Sequence, residues 1–226
     1  MCGEKLQLRE EYLCIPCLMD VPYTYFWDRS HNPMADLLNG RVQESVQPGI
    51  QERYAYAAAL FFYNSESAYR QITQHLKYEG GVGMGKAFAS ALGRRLAGSP
   101  LFADVDAVIP VPLHWTRRWK RGYNQAEVIA KAVAACLDAP VRSDLLVRRR
   151  RTRTQIQLSV EDKRRNMSGA FSLGRKADGR GIHHILLVDD VFTTGATSVE
   201  CFRTLRNLFP PKVRISVATL AFVSNV

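Results

Sequence analysis

The chain has 226 residues, 46% of them hydrophobic and 10% aromatic, which excludes a disordered polar chain and leaves room for one sizeable core. Lysine and arginine number 31 against 21 aspartates and glutamates, and the net charge of +10 favours polyanionic partners such as nucleotides, pyrophosphate or nucleic acid. No apolar run reaches the roughly 18–20 residues of a membrane span, and no charged-then-apolar leader opens the chain, so a cytoplasmic protein with no membrane partner is expected.

Three of the five cysteines crowd the amino terminus: Cys2, Cys14 and Cys17. Cys14-Ile-Pro-Cys17 has the spacing at which two thiolates from one tight turn bind the same Zn²⁺ ion, and Cys2-Gly3 looks like half of a second such turn. A tetrahedral thiolate site needs a fourth ligand. A three-cysteine site completed by another group (His31 is the nearest candidate), a start lying further upstream and a decayed ribbon all remain open. Residues 1–50 are accordingly read as a small zinc-ribbon-like segment with loops, in which Tyr23, Tyr25, Phe26 and Trp27 pack under a short structure. Residues 51–226 are read as the main domain.

In the main domain, Tyr54 to Tyr63 reads as a strand and Glu66 to Leu76 as a helix. Gly85 to Ala97 is a second helix, stopped by Gly98 and Pro100. Val105 to Val111 is a buried strand that opens into a basic loop, Leu113 to Gln125, with Arg117, Arg118, Lys120 and Arg121 set between and after Trp115 and Trp119. Guanidinium groups match phosphate oxygens two at a time, and Gly122 lets backbone come close, so Arg117, Arg118, Arg121 and Gly122 are candidates for a pyrophosphate clamp. Asn124 is expected to cap the next helix, with Glu127 completing a capping box. The two tryptophans suit base stacking beside arginines, or equally serve as hydrophobic plugs.

Arg148, Arg149, Arg150 and Arg151, with Gln155 beyond, form a dense positive arm that reads either as a charged surface segment or as a mobile loop closing on an anion. Ile185 to Val188 is an apolar run of the kind buried on both faces of a parallel sheet. Asp189 and Asp190 end it and are expected at the carboxyl edge of the sheet, facing water or a ligand. Thr193, Thr194, Gly195, Ala196 and Thr197 then lead into a helix that buries Phe202 and Leu205. N–H groups at a helix start, joined by threonine hydroxyls, grip a phosphate; paired carboxylates suit vicinal hydroxyls or the water around Mg²⁺. No lysine follows the glycine, which excludes a Walker loop.

The string ILLVDDVFTTGAT resembles the PRPP-binding motif of the type I phosphoribosyltransferases, PRPP being 5-phosphoribosyl 1-pyrophosphate. With the preceding Pro-Val-Pro, RRWKRGYNQ and Lys77-Tyr78-x-Gly80, the region from about 75 to 222 is similar to the ComF family of phosphoribosyltransferase-like proteins, which includes competence proteins and the GntX group. That family commonly carries an N-terminal CxxC…CxxC ribbon, from which the missing cysteine departs. The resemblance implies an α/β type I phosphoribosyltransferase fold: a twisted, mostly parallel sheet flanked by helices, with the site across the strand ends at Val111 and Val188. It implies PRPP, or another ribose 5-phosphate, bound with Mg²⁺: Asp189 and Asp190 on the ribose, Thr193 to Thr197 on the 5-phosphate, and a loop around Arg148–Gln155 closing over them. Two functions follow as expectations. One is phosphoribosyl transfer to an unnamed acceptor, with Asp189 and Asp190 steadying the positive ring. The other is a non-catalytic factor that holds single-stranded DNA during uptake.

Overall fold

The computed structural model describes residues 2–8, 10–46, 49–63, 69–76, 82–149 and 169–223. In chain order these carry helix α1 (Ile15–Met19), a 3-10 turn (Phe26–Asp28), helix α2 (Pro33–Gln43), strand β1 (Ala57–Tyr63) and helices α3 (Arg70–His75) and α4 (Val82–Ala97). Strand β2 (Ala107–Pro110), helices α5 (Trp115–Arg121) and α6 (Gln125–Leu137) and strands β3 (Leu146–Arg148) and β4 (Phe171–Leu173) follow. Strand β5 (His184–Phe192), helix α7 (Ala196–Arg206) and strand β6 (Arg214–Val223) complete the described fold.

The main sheet has four strands in the order β1-β6-β5-β2, every pair parallel. A parallel sheet needs cover on both faces, and Ile185, Leu186, Leu187, Val188, Ile215, Val217 and Ala218 are all buried. Gly93 of α4 explains how closely that helix rides on α6: a Cβ there would stand 2.9 Å from Cys136 Sγ and 3.0 Å from the Val133 backbone. On α2 the burying residues are Met34, Ala35, Leu38 and Val42. The sheet is therefore the α/β arrangement the sequence pattern called for, with helices on a parallel core. The two-stranded antiparallel hairpin of β3 and β4 stands beside it.

Both outer edges of the sheet are paired, which removes a template for edge-to-edge association. On β1, Phe62 N–H donates to Pro22 O (2.8 Å) and Thr24 N–H to Leu60 O (3.2 Å). On β2, Val108 N–H donates to Pro140 O and Arg142 N–H to Val108 O, each at 2.9 Å. Several boundaries differ from the sequence reading. Tyr54 lies outside β1, because its hydroxyl donates to Asp36 Oδ1 (2.7 Å) and its ring rests on His31. Helix α4 begins three residues before Gly85. The segment from Leu113 is not wholly a loop but folds into α5. The expected capping box is replaced: Asn124 Nδ2 donates to Val111 O (3.0 Å), while Glu127 pairs with Lys131 (3.0 Å) and Arg118 (3.6 Å). The start of the helix expected from Glu66 and the Lys77-Tyr78-x-Gly80 run lie outside the described residues.

Candidate functional site

Strand β5 carries its apolar run into the core and delivers the two aspartates, half-buried, near the carboxyl edge. The strand does not stop at them. Val191 and Phe192 still pair with Ala221 and Phe222 of β6, so strand pairing outlasts the change to acidic residues. Successive strand residues point to opposite faces, and the acids have different surroundings. Asp189 Oδ1 accepts the N–H of Asp190 (2.9 Å). Burial, and then the charge of Asp190, push the Asp189 carboxyl well above the ordinary carboxylate range, while Arg148 pulls the other way.

After Phe192 the chain turns through Thr193, exposed, and Thr194, buried, into Gly195. Gly195 has φ +74°, and a Cβ there would meet the Phe192 ring at 2.9 Å, so the turn requires glycine on two counts. Helix α7 then starts with its first N–H groups facing a depression lined by Val191 to Ser198. Thr194 and Ser198 are 7% and 4% exposed, and neither hydroxyl has a hydrogen-bond partner among the described residues. The depression encloses only about 10 Å³, so an anion would sit against its mouth and not within it. Two roomier hollows, of about 980 and 570 Å³, are lined by residues such as Glu52 and Pro211 that precede β1 and β6, at the opposite edge.

The basic residues reach this edge from two other elements. Helix α5 begins at His114, whose Nδ1 accepts from Thr116 N–H, and ends at Gly122, φ +78°. No residue of α5 is buried; Trp115 and Trp119, one turn apart, are 69% and 88% exposed. Arg118 faces Glu127, and Arg121 Nη1 donates to Gln125 Oε1 at 3.2 Å. Arg117 lies within electrostatic reach of Arg148. Arg148 closes β3 and holds its guanidinium 5.2 Å over the Phe171 ring. Burial, then Arg117, disfavour its charge, and Asp189 supports it. Arg149 follows on the surface, its N–H donating to Ala170 O (3.0 Å). Both therefore belong to the hairpin and its exit instead of a free loop; Arg150, Arg151 and Gln155 lie outside the described residues.

Two contributors were missed in the sequence. Arg41, from the last turn of α2, brings its Cδ within 3.7 Å of where a Cβ on Gly195 would stand. Nothing local in the sequence links residues so far apart. Gln125 is buried (4% exposed) with its Nε2 unpartnered beside the basic helix; its place directly after Asn124 was the one available signal.

At the amino terminus, Cys2, Cys14 and Cys17 present sulfur atoms all within 4.8 Å of one another. Cys14 precedes α1, so both thiols of the Cys14–Cys17 pair project from one helical turn. Three such thiolates suit a thiophilic ion such as Zn²⁺. His31 takes no part: its Nδ1 lies 3.2 Å from Asp36 Oδ1 and its ring stacks on Tyr54.

The carboxyl edge of this parallel α/β sheet, where open sheets bind ligands, brings together a carboxylate pair, a glycine turn and a helix start. No family model matches the chain. It is 39% identical over 110 residues to competence protein F of Haemophilus influenzae, covering 49% of this chain and 48% of that protein. It is 37% identical over 124 residues to the DNA utilization protein YhgH of Shigella flexneri (52% and 53% covered), and 28% identical over 136 residues to competence protein ComFC of Bacillus subtilis (60% and 52%). The chain spans about half the length of the curated relatives it matches. The names of these relatives, competence and DNA utilization proteins, agree with the likeness to the ComF family. Among the described residues no helix is long and apolar enough to cross a membrane.

Proposed function

We propose that this protein binds a ribose 5-phosphate, in the form of PRPP with Mg²⁺, at the carboxyl edge of the sheet, and that it handles single-stranded DNA. The observation that carries the first half is the run from β5 into α7: half-buried acids, the Gly195 turn, and two mostly buried residues at a helix start, Thr194 and Ser198, whose hydroxyls have no partner among the described residues. Amides and hydroxyls from Thr193 to Thr197 take the 5-phosphate, Asp189 and Asp190 the vicinal hydroxyls, and Arg117, Arg118 and Arg121 the pyrophosphate beside Gly122. The donor set fits Mg²⁺, which binds through one or two carboxylates plus substrate phosphates; when bound it neutralises charge on the pyrophosphate. Burial, and then the charge of Asp190, disfavour ionisation of Asp189, and a diol or cation at the pair would relieve that.

Calorimetry with PRPP, with and without Mg²⁺, tests this. Asp190→Asn should weaken PRPP binding by about tenfold or more, since a charged hydrogen bond to the sugar is lost; unchanged binding refutes the assignment. Pyrophosphate release against a panel of nucleobases then asks whether a phosphoribosyl group is transferred.

The DNA half is supported by the names of the relatives and by the exposed tryptophans among the cations of α5. Binding to a single strand should fall steeply with salt as phosphate contacts release counterions. No binding at low salt would remove this half. Cys2, Cys14 and Cys17 are read as Zn²⁺ ligands that fasten the amino-terminal segment.

A further inference from the structure

We infer that the phosphate seat at the start of α7 takes the 5′-phosphorylated end of a single nucleic-acid strand, whose following bases stack on Trp115 and Trp119. This rests on the reading above that the seat holds a ribose 5-phosphate, and names a second class of molecule for it. A furanose bearing a 5-phosphate is common to PRPP and to the first nucleotide of a 5′-phosphorylated strand. An internal nucleotide offers a diester with chain on both sides, which the small depression along Val191–Ser198, of about 10 Å³, accommodates less readily than a chain end. A terminal monoester carries more charge and more free oxygens, which suits a helix start where the Thr194 and Ser198 hydroxyls have no partner among the described residues.

The next phosphate of such a strand falls on the side of the aspartates, where two ionised carboxylates would repel it. Arg148, packed over Phe171 and within reach of both Asp189 and Arg117, supplies the opposing charge there. Beyond that point lies α5. That helix leaves two tryptophan rings one turn apart largely exposed among Arg117, Arg118, Lys120 and Arg121, with His114 as a ring neighbour of Trp115 at 5.7 Å. Base–aromatic stacking is worth roughly 1–3 kcal/mol per base and tolerates any sequence. The cations match a phosphate backbone in charge, and Arg148, within electrostatic reach of both Arg117 and Asp189, links the two surfaces.

The experiment is fluorescence anisotropy of the full chain with a short oligothymidylate labelled at its 3′ end, carrying either a 5′-phosphate or a 5′-hydroxyl. The phosphorylated strand should bind about tenfold tighter or more, and PRPP should displace it. Ser198→Ala and Thr194→Val, each checked for an unchanged melting temperature, should bring the phosphorylated strand down towards the hydroxyl one. Trp115→Ala and Trp119→Ala should weaken both strands and leave their ratio intact. Equal affinity for the two ends overturns the inference, as does a preference that survives both hydroxyl variants. Loss of binding to anionic lipid vesicles, but not to oligonucleotides, in Trp119→Ala also overturns it. PRPP calorimetry run in parallel separates the failures: PRPP bound without an end preference defeats only this inference, whereas binding of neither defeats the pocket itself.

Discussion

His184 shows what a single residue does away from the site. It opens β5 fully buried, with Nδ1 2.6 Å from Asp104 Oδ1 and Nε2 2.8 Å from Ser216 Oγ, and Ser216 Oγ accepts the N–H of Tyr56 (3.1 Å). Aspartate, histidine and serine in this order resemble a hydrolytic triad. Ser216, however, is wholly buried, and the group lies at the amino edge, about 16 Å along the strand from Asp189. The arrangement is a tie between β5, β6 and the turn before β2. Neutral histidine satisfies every member: Nδ1–H donates to Asp104 and Nε2 accepts from Ser216. Burial lowers the His184 pKa below its ordinary 6.5, outweighing the pull of Asp104. The unfolded chain therefore takes up this proton more readily than the folded one. The stability that the neutral ring contributes is complete above about pH 6.5 and is lost as pH falls through and below that value. Urea unfolding between pH 7.5 and 5 should show a falling midpoint, and His184→Gln should flatten that fall; an equally steep fall in the variant would remove His184 as its cause.

The elements differ in how much of their form is local. Helix α2 is written in its own residues: Asn32 Oδ1 accepts from Met34 N–H (3.1 Å) and Ala35 N–H (2.9 Å), and Pro33 opens the first turn. The same Asn32 also donates through Nδ2 to Ala57 O (2.9 Å), so the cap fixes α2 against β1. Asn32→Ala should cost about 2 kcal/mol or more, above an ordinary cap, because a buried carbonyl loses its donor as well. Chemical denaturation measures it; a loss within ~0.5 kcal/mol would show that the cap is dispensable. Helix α5 is the opposite case. Its cations read as a loop because no apolar stripe runs through them, and its end at Gly122 is a turn that only backbone geometry reveals. At Asn124 a sequence rule failed for a tertiary reason: the side chain that should cap α6 is drawn to Val111 O.

For the whole molecule, the amino-terminal residues are less separate than a ribbon with loops would be, since Phe26, Trp27, Met34 and Leu38 enter the same core as β1. The cysteine segment ahead of them is fastened more lightly. Tyr69 Oη donates to Cys17 O (2.9 Å), and Glu10 accepts from Gln7 and Ile15 N–H groups. The Cys17 N–H favours the Cys14 thiolate, but hydrogen bonds shared with Cys2 and Cys17, and burial, outweigh it and push the thiol up to about 11. Binding Zn²⁺ must therefore displace protons, and its affinity should drop as pH falls. Chelation should make the first twenty residues or so protease-sensitive while leaving the far-ultraviolet circular dichroism of the sheet unchanged; a metal-free protein that resists cleavage there would exclude the ion as the fastening. The sequence by itself determined the apolar run, the acid pair, the glycine turn and the helix start on β5 and α7, because apolar runs, carboxylates and a glycine at positive φ obey local rules of burial and sterics. Only the tertiary structure decided what surrounds them: Arg41 arriving from α2, Arg148 packed over Phe171 beside Asp189, and tryptophans left bare on α5. Those placements depend on how distant segments close over one sheet edge, and no spacing along the chain encodes that.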